Sequence, residues 1–194
     1  MHELAEVWTD RKGLTWMAVS AILYALLLIP FNLVQWTVAD ISLRPAAVLP
    51  VVCGILWGPA AAWGLGMGNI AGDLFGSWSL MSIFGFLVNF LYPYLAYLLW
   101  HRLMDGHPLR ADRSALSRFW LVTFVTTLAC MFLLAACGTI FFGRPFESRF
   151  ISYLGNGIVW GMIAGSVLFW VVLCPAVKKG WVYGREWVRR IPAP

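Results

Sequence analysis

The run from Arg44 to Asp73, RPAAVLPVVCGILWGPAAAWGLGMGNIAGD, limits what this chain can fold into more than any other stretch. No charged residue lies between its two ends. At a rise of about 1.5 Å per residue, one straight helix of that length overshoots the roughly 30 Å of bilayer hydrocarbon. Gly58-Pro59 sits in its middle, and a proline removes an internal hydrogen bond and clashes with the turn before it. The run therefore reads as a tight hairpin of two short spans, about 46–57 and 59–75, turning at Trp57-Gly58-Pro59. On the second arm Gly64, Gly68, Gly72 and Gly76 recur every four residues. They share one helical face, and such small-residue faces let membrane helices touch backbone to backbone. Asn69 and Asp73, also four apart, lie one step round. A carboxylate and an amide in an apolar membrane helix are costly unless paired, which makes both candidates for solute contact.

The remainder of the chain is of the same kind. Of its 194 residues 61% are hydrophobic and 12% charged, which implies an all-α polytopic membrane protein forming a single integral domain over 1–194, with no soluble domain. Four further spans are expected, at about 14–34, 81–100, 119–141 and 150–176. Pro30 should kink the first. The apolar run after Arg11 and Lys12 is too long for a signal peptide and precedes no small-x-small cleavage site, so it reads as a retained helix. With six transmembrane helices and both termini cytoplasmic, eleven Lys and Arg fall inside and three, Arg44, Arg144 and Arg149, fall outside. A five-span arrangement with the N-terminus outside gives ten against four, so length and Gly-Pro, rather than charge, decide for six. The tail 177–194 mixes bases and aromatics and reads as an anchor on the inner leaflet of the cytoplasmic membrane, with Trp181, Tyr183 and Trp187 at headgroup level. The net charge of +5 is accounted for by this asymmetry and needs no nucleic acid. Cys53, Cys130, Cys137 and Cys174 stand singly in apolar runs and read as packing residues, without a metal or a disulfide.

Nothing in the chain spells catalysis. HExxH, GxSxG and P-loop motifs are absent, so neither enzyme activity nor a cofactor is expected. Gly66-Met67-Gly68-Asn69-Ile70-Ala71 matches a GxGxxA string, but it follows no soluble strand and belongs to the glycine ladder. His2, His101 and His107 fall in cytoplasmic segments and read as solvated. The polar residues that remain gather at the outer side. Arg44, Asp73, Asn89 and Asn156 lie at or within the ends of spans, and Trp36, Asp40, Trp78, Arg144, Glu147 and Arg149 lie in outer loops. A solute cup formed by Trp36, Arg44, Asn69, Asp73, Trp78, Asn89 and Asn156 would combine aromatic faces with a few orienting polar groups. Each residue alone has a plainer explanation. Arg44 and Asp73 can neutralise each other, Asn89 and Asn156 can bond between helices, Trp36 and Trp78 can belong to an aromatic belt, and Arg144, Glu147 and Arg149 can be a solvated loop. The clustering, rather than any one side chain, carries the hypothesis.

Leu49-Pro50, Trp57-Gly58-Pro59 and Gly72-Asp73 together resemble the second and third helices of S components, the substrate-binding membrane subunits of energy-coupling-factor (ECF) transporters for vitamins. Ala21-Ile22-Leu23-Tyr24-Ala25 fits the Ala-xxx-Ala face with which that family's first helix docks on a transmembrane coupling subunit. The resemblance covers the first four spans; the last two agree only in kind. It implies an S-component-like bundle that captures a vitamin-like solute from outside and delivers it by reorienting in the membrane. A coupling subunit, docked at Ala21 and Ala25, and two cytoplasmic ATPase subunits would be separate partners. No subfamily motif for riboflavin, thiamine, biotin, folate or cobalamin is present, and Met1-His2 falls on the cytoplasmic side, unlike the metal-binding start of the nickel and cobalt members. A structural membrane protein of the MreD-like cell-shape type is the alternative, since it has a similar helix count and a Gly-rich helix ending in Asp.

Overall fold

A chain this apolar must satisfy its backbone polar groups within helices, because a bilayer offers no water to do so. The computed structural model describes residues 2–34, 36–38, 41–76, 78–105, 107 and 112–190, and they are arranged in that way. The elements are α1 (His2–Glu6), α2 (Arg11–Val34), a two-residue antiparallel pairing of Thr37–Val38 with Ile41–Ser42, a 3-10 turn (Pro45–Val48), α3 (Leu49–Asp73), α4 (Met81–Leu103), α5 (Arg113–Phe142), α6 (Phe146–Asn156), a π-helical segment (Gly157–Ala164), α7 (Gly165–Lys178) and α8 (Arg185–Arg190). Asp40 lies outside the described residues.

Among the described residues five helices are long and apolar enough to cross a membrane: α2, Pro45–Asp73, α4, α5 and Phe146–Lys178. Five stand where six were expected because 46–57 and 59–75 are joined in one element, α3. That element is not straight. Gly58 has φ 39° and ψ −107°, a backbone conformation that costs a side-chain-bearing residue far more than glycine. The contacts on either side of the break run in opposite senses along α4. A Cβ added at Gly54 would strike Pro93 and one at Gly58 would strike Tyr97 2.7 Å away, whereas Gly66 faces Phe86 and Gly85 faces Asn69. The arms thus descend and return, and almost every residue of α3 is buried.

The second arm packs on α2 through the glycine ladder. A Cβ at Gly68 would come within 2.6 Å of Ala21 O, and one at Gly72 within 2.6 Å of Leu28 Cδ2. Close backbone approach of this kind is what small residues make possible between membrane helices. On α2 the buried face is Gly13, Met17, Ser20, Tyr24, Leu28 and Asn32, at three- and four-residue spacing, and the helix continues through Pro30. Gly157, Gly161 and Gly165 bring the last long helix against Thr127, Thr123 and Phe119 of α5.

Helix α5 is closed at both ends by its sequence. The Asp112 side chain accepts from Ala115 N at 2.7 Å, and Gly143, at φ 61°, ends the helix with Arg144 N donating to Gly138 O at 3.2 Å. Helix α6 starts at Phe146, so Glu147 and Arg149, expected in a loop, lie in its first turns.

The tail also departs from expectation. Trp187 is 1% exposed, packed inside the protein rather than turned outward as an anchor; its Nε1 donates to Ile55 O at 2.7 Å, and Tyr183 N donates to Leu56 O at 2.8 Å. Pro59 lacks the N–H that would have served Ile55 O in a continuous helix, so the tail satisfies carbonyls that the α3 break leaves open. Trp181 remains 47% exposed. His101, expected to be solvated, is buried edge-on between Tyr97 and Trp187, with centroids 4.7 Å from each.

Candidate functional site

Between the ends of α2, α3, α4 and α6, away from the termini, lies a cavity of about 370 Å³, within the size range of small-molecule sites. Phe31 and Asn32 come from α2, and Arg44 from the segment before α3. Asn69 and Asp73 come from the second arm of α3, and Ser82, Gly85 and Asn89 from α4. Arg144, Arg149, Ser152, Tyr153 and Asn156 close the other side. A narrow annex of about 50 Å³ continues inward past Tyr24, Ala47, Pro50, Tyr92 and Gly157, sharing Arg44, Asn89, Tyr153 and Asn156 with the main space.

One wall is a continuous hydrogen-bonded relay. Asn32 Nδ2 donates to Asp73 Oδ1 at 3.2 Å and to Gly72 O at 3.2 Å; Asn69 Nδ2 donates to Asp73 Oδ2 at 3.0 Å. Asn89 Nδ2 donates to Asn69 Oδ1 at 3.0 Å and to Gly85 O at 2.9 Å, and Tyr24 OH donates to Asn89 Oδ1 at 2.8 Å. Asp73 needs these donors. It ends α3, where the helix dipole already places partial negative charge, and it is 7% exposed. Opposite, Asn156 Oδ1 accepts from Arg44 N at 2.7 Å while its Nδ2 donates to Ser152 O at 2.9 Å, which ties the approach to α3 to α6. The αL cap at Gly143 sets Arg144 beside the cavity, its guanidinium 5.8 Å from the Phe142 ring centroid. Three arginines and one carboxylate, among the described lining residues, make the space polar and net positive.

Residues 14–173 match the sequence model of the QueT transporter family. The chain belongs to that family. Its members are S components of energy-coupling-factor transporters, and the protein is a multi-pass membrane transporter component, not an enzyme. Membership in a transporter family removes the cell-shape scaffold as a reading. No curated protein and no solved structure matches the chain.

Within this QueT-family chain, Arg44, Asn69, Asp73, Asn89 and Asn156 share the cavity wall, although they are spread over more than a hundred positions of sequence. Trp36 and Trp78 do not line it. Both residues are 56% exposed, and Trp36 makes a tilted contact with the cavity-lining Phe31, centroids 6.2 Å apart. Connecting segments place aromatic rings near an opening without aiming them into it, and the rings that do line the cavity, Phe31 and Tyr153, sit on helices. Ala21 lies at the α2–α3 seam, where its backbone faces Gly64 and Gly68; the side chains of Ala21 and Ala25 are half-buried. Sequence reasoning misses Asn32 and Tyr24. Their signal is present, because both fall on the same four-residue stripe as Ser20 and Leu28, and an amide on a membrane helix warrants a functional hypothesis.

Proposed function

We propose that this S component captures a queuosine precursor, a small nucleobase-like solute, in the cavity walled by Arg44, Asn69, Asp73, Asn89 and Asn156. The single observation behind this reading is the Asn32–Asp73–Asn69–Asn89 relay, which presents an oriented set of polar groups to a solute-sized space. The two arms of α3 count as separate crossings in this proposal, giving six, with both termini cytoplasmic in the inner membrane. The bases support that orientation: Arg11, Lys12, Arg102, Arg113, Arg118, Lys178, Lys179, Arg185, Arg189 and Arg190 belong to the end with the termini, and Arg44, Arg144 and Arg149 to the cavity end. The α2 face edged by Ala21 and Ala25 docks on a transmembrane coupling subunit, which two ATPase subunits energise. The solute enters from outside, and the bundle reorients to deliver it.

Calorimetric titration of the purified protein with a queuosine precursor tests the reading. Saturable binding is expected, and Asp73→Asn should weaken it about ten- to a hundredfold, the equivalent of about 1.5–3 kcal/mol for a hydrogen bond to a charged group. No binding by the unaltered protein would overturn the proposed substrate.

A further inference from the structure

Three arginines reach the cavity from three separate segments, and each is placed there by its backbone. Arg44 stands just before the 3-10 turn, where its N–H is held by Asn156 Oδ1 at 2.7 Å, and it borders both the main space and the annex. Arg144 follows the αL glycine of α5. Its N–H donates to Gly138 O at 3.2 Å, and its Cδ lies 3.9 Å from where a Gly138 Cβ would stand, on the side of the lining residue Met81. Arg149, Ser152, Tyr153 and Asn156 recur three and four apart, so one stripe of α6 faces the space. These charges have no counterpart close by. Among the described residues the ion pairs are Arg185–Glu6, Arg189–Glu186 and Arg190–Asp105, and none involves a cavity arginine. Glu147, on the same helix as Arg149, is exposed and does not line the space. Asp73 is the one carboxylate among the described lining residues, and it is engaged by Asn32 and Asn69.

We infer that Arg44, Arg144 and Arg149 form a phosphate subsite, so that the solute taken here is a nucleotide-like monoester, with its ring on the Asn69–Asn89 wall and its phosphate on the arginines. This rests on the proposed binding role of the cavity and names the form in which its solute arrives. Charge decides between the anions. Guanidinium groups stay protonated, so three of them against one carboxylate leave two positive charges around the space. Arg44 and Arg144 are half-buried, and a charge drawn part-way out of water without a partner is costly. A solute bearing one carboxylate would balance half of that excess. A phosphate monoester, carrying about −1.5 to −2 at pH 7, balances all of it. Its oxygens also match the forked donors of a guanidinium. An uncharged base would leave the arginines unanswered and bind more weakly.

The experiment is calorimetric titration of the purified protein, in lipid-free detergent and phosphate-free buffer, with guanosine, guanosine 5′-monophosphate and a queuosine precursor base. The monophosphate should bind about ten- to a hundredfold more tightly than guanosine, the scale of hydrogen bonds to a charged group, and high salt should shrink that advantage. Arg144→Gln should bring the ratio of the two affinities toward one, and so should Arg149→Gln, whose exposed position makes it safe for folding. An arginine with a merely structural role would lower both affinities and the unfolding temperature together and leave the ratio unmoved. If the precursor base binds and the ratio is near one, this inference fails and the proposed substrate stands. If the base does not bind while the monophosphate is preferred through the arginines, the substrate reading fails and the inference stands. If the ratio is near one and added phosphatidylglycerol raises the unfolding temperature of the unaltered protein but not of Arg149→Gln, the arginines hold a lipid phosphate and the inference fails. Binding of none of the three solutes overturns both.

Discussion

At the cavity end, α2, α3 and α4 are joined by side-chain amides around one carboxylate; at the opposite end, α1, α3, α4 and the tail are joined by indole N–H groups and an arginine bonded to backbone carbonyls. Trp57 Nε1 donates to Trp181 O at 3.0 Å, Trp63 Nε1 to Leu4 O at 2.9 Å, and Arg190 Nη1 to Met104 O at 2.7 Å. The contrast follows from what each end must do. An amide or carboxylate can exchange a protein partner for a solute at small net cost, since each hydrogen bond contributes only about 0.5–1.5 kcal/mol net. A carbonyl exposed by a helix break or a helix end has no such freedom in an apolar surrounding and must be covered permanently. On the proposed binding role, one end is made to be opened and the other to stay shut.

Three substitutions test whether the ends are separable. The largest effect is expected from Ala21→Trp, on the α2 face between them. Uptake and co-purification with the coupling subunit should be abolished while solute binding by the isolated protein persists. Joint loss of binding and thermal stability would instead make Ala21 internal packing against Gly64 and Gly68. Next is Trp187→Ala, which should cost about 3–5 kcal/mol of stability, the usual range for truncating a buried aromatic. Solute affinity at the cavity, measured below the unfolding transition, should change less than twofold; a tenfold loss would mean that the ends are coupled. Smallest is Glu6→Gln. Its partner Arg185 and Glu6 are both about half exposed, so removing the pair should barely move the unfolding temperature, and high salt should erase any difference.

The sequence makes legible those features whose cause is local. Gly58-Pro59 announces the break in α3, the glycines at spacing four announce the α2 seam, and Asp73 with Asn69 stand out because charge and amide are rare in apolar helices. What stays hidden depends on partners far along the chain. Trp187 looks like a headgroup aromatic because its sequence neighbours are basic, yet it is drawn inward by a carbonyl left open more than a hundred residues earlier. His101 sits beside Arg102 at a helix end and reads as solvated; the returning tail buries it. Trp36 and Trp78 read as cup residues because loops and aromatics suggest an opening, whereas Phe31 and Tyr153, on helices, occupy the wall.

The covering of Ile55 O and Leu56 O by the tail has a consequence for how the protein is made. The turn that needs those donors emerges from the ribosome well before them, since Tyr183 and Trp187 follow Ile55 and Leu56 by more than a hundred residues. Until they arrive, the first arm of α3 carries bare carbonyls and lacks the aromatic lid that buries His101. The nascent chain therefore waits in an unfinished state while all the intervening helices are made. Termination ahead of Tyr183 would leave that state as the end product.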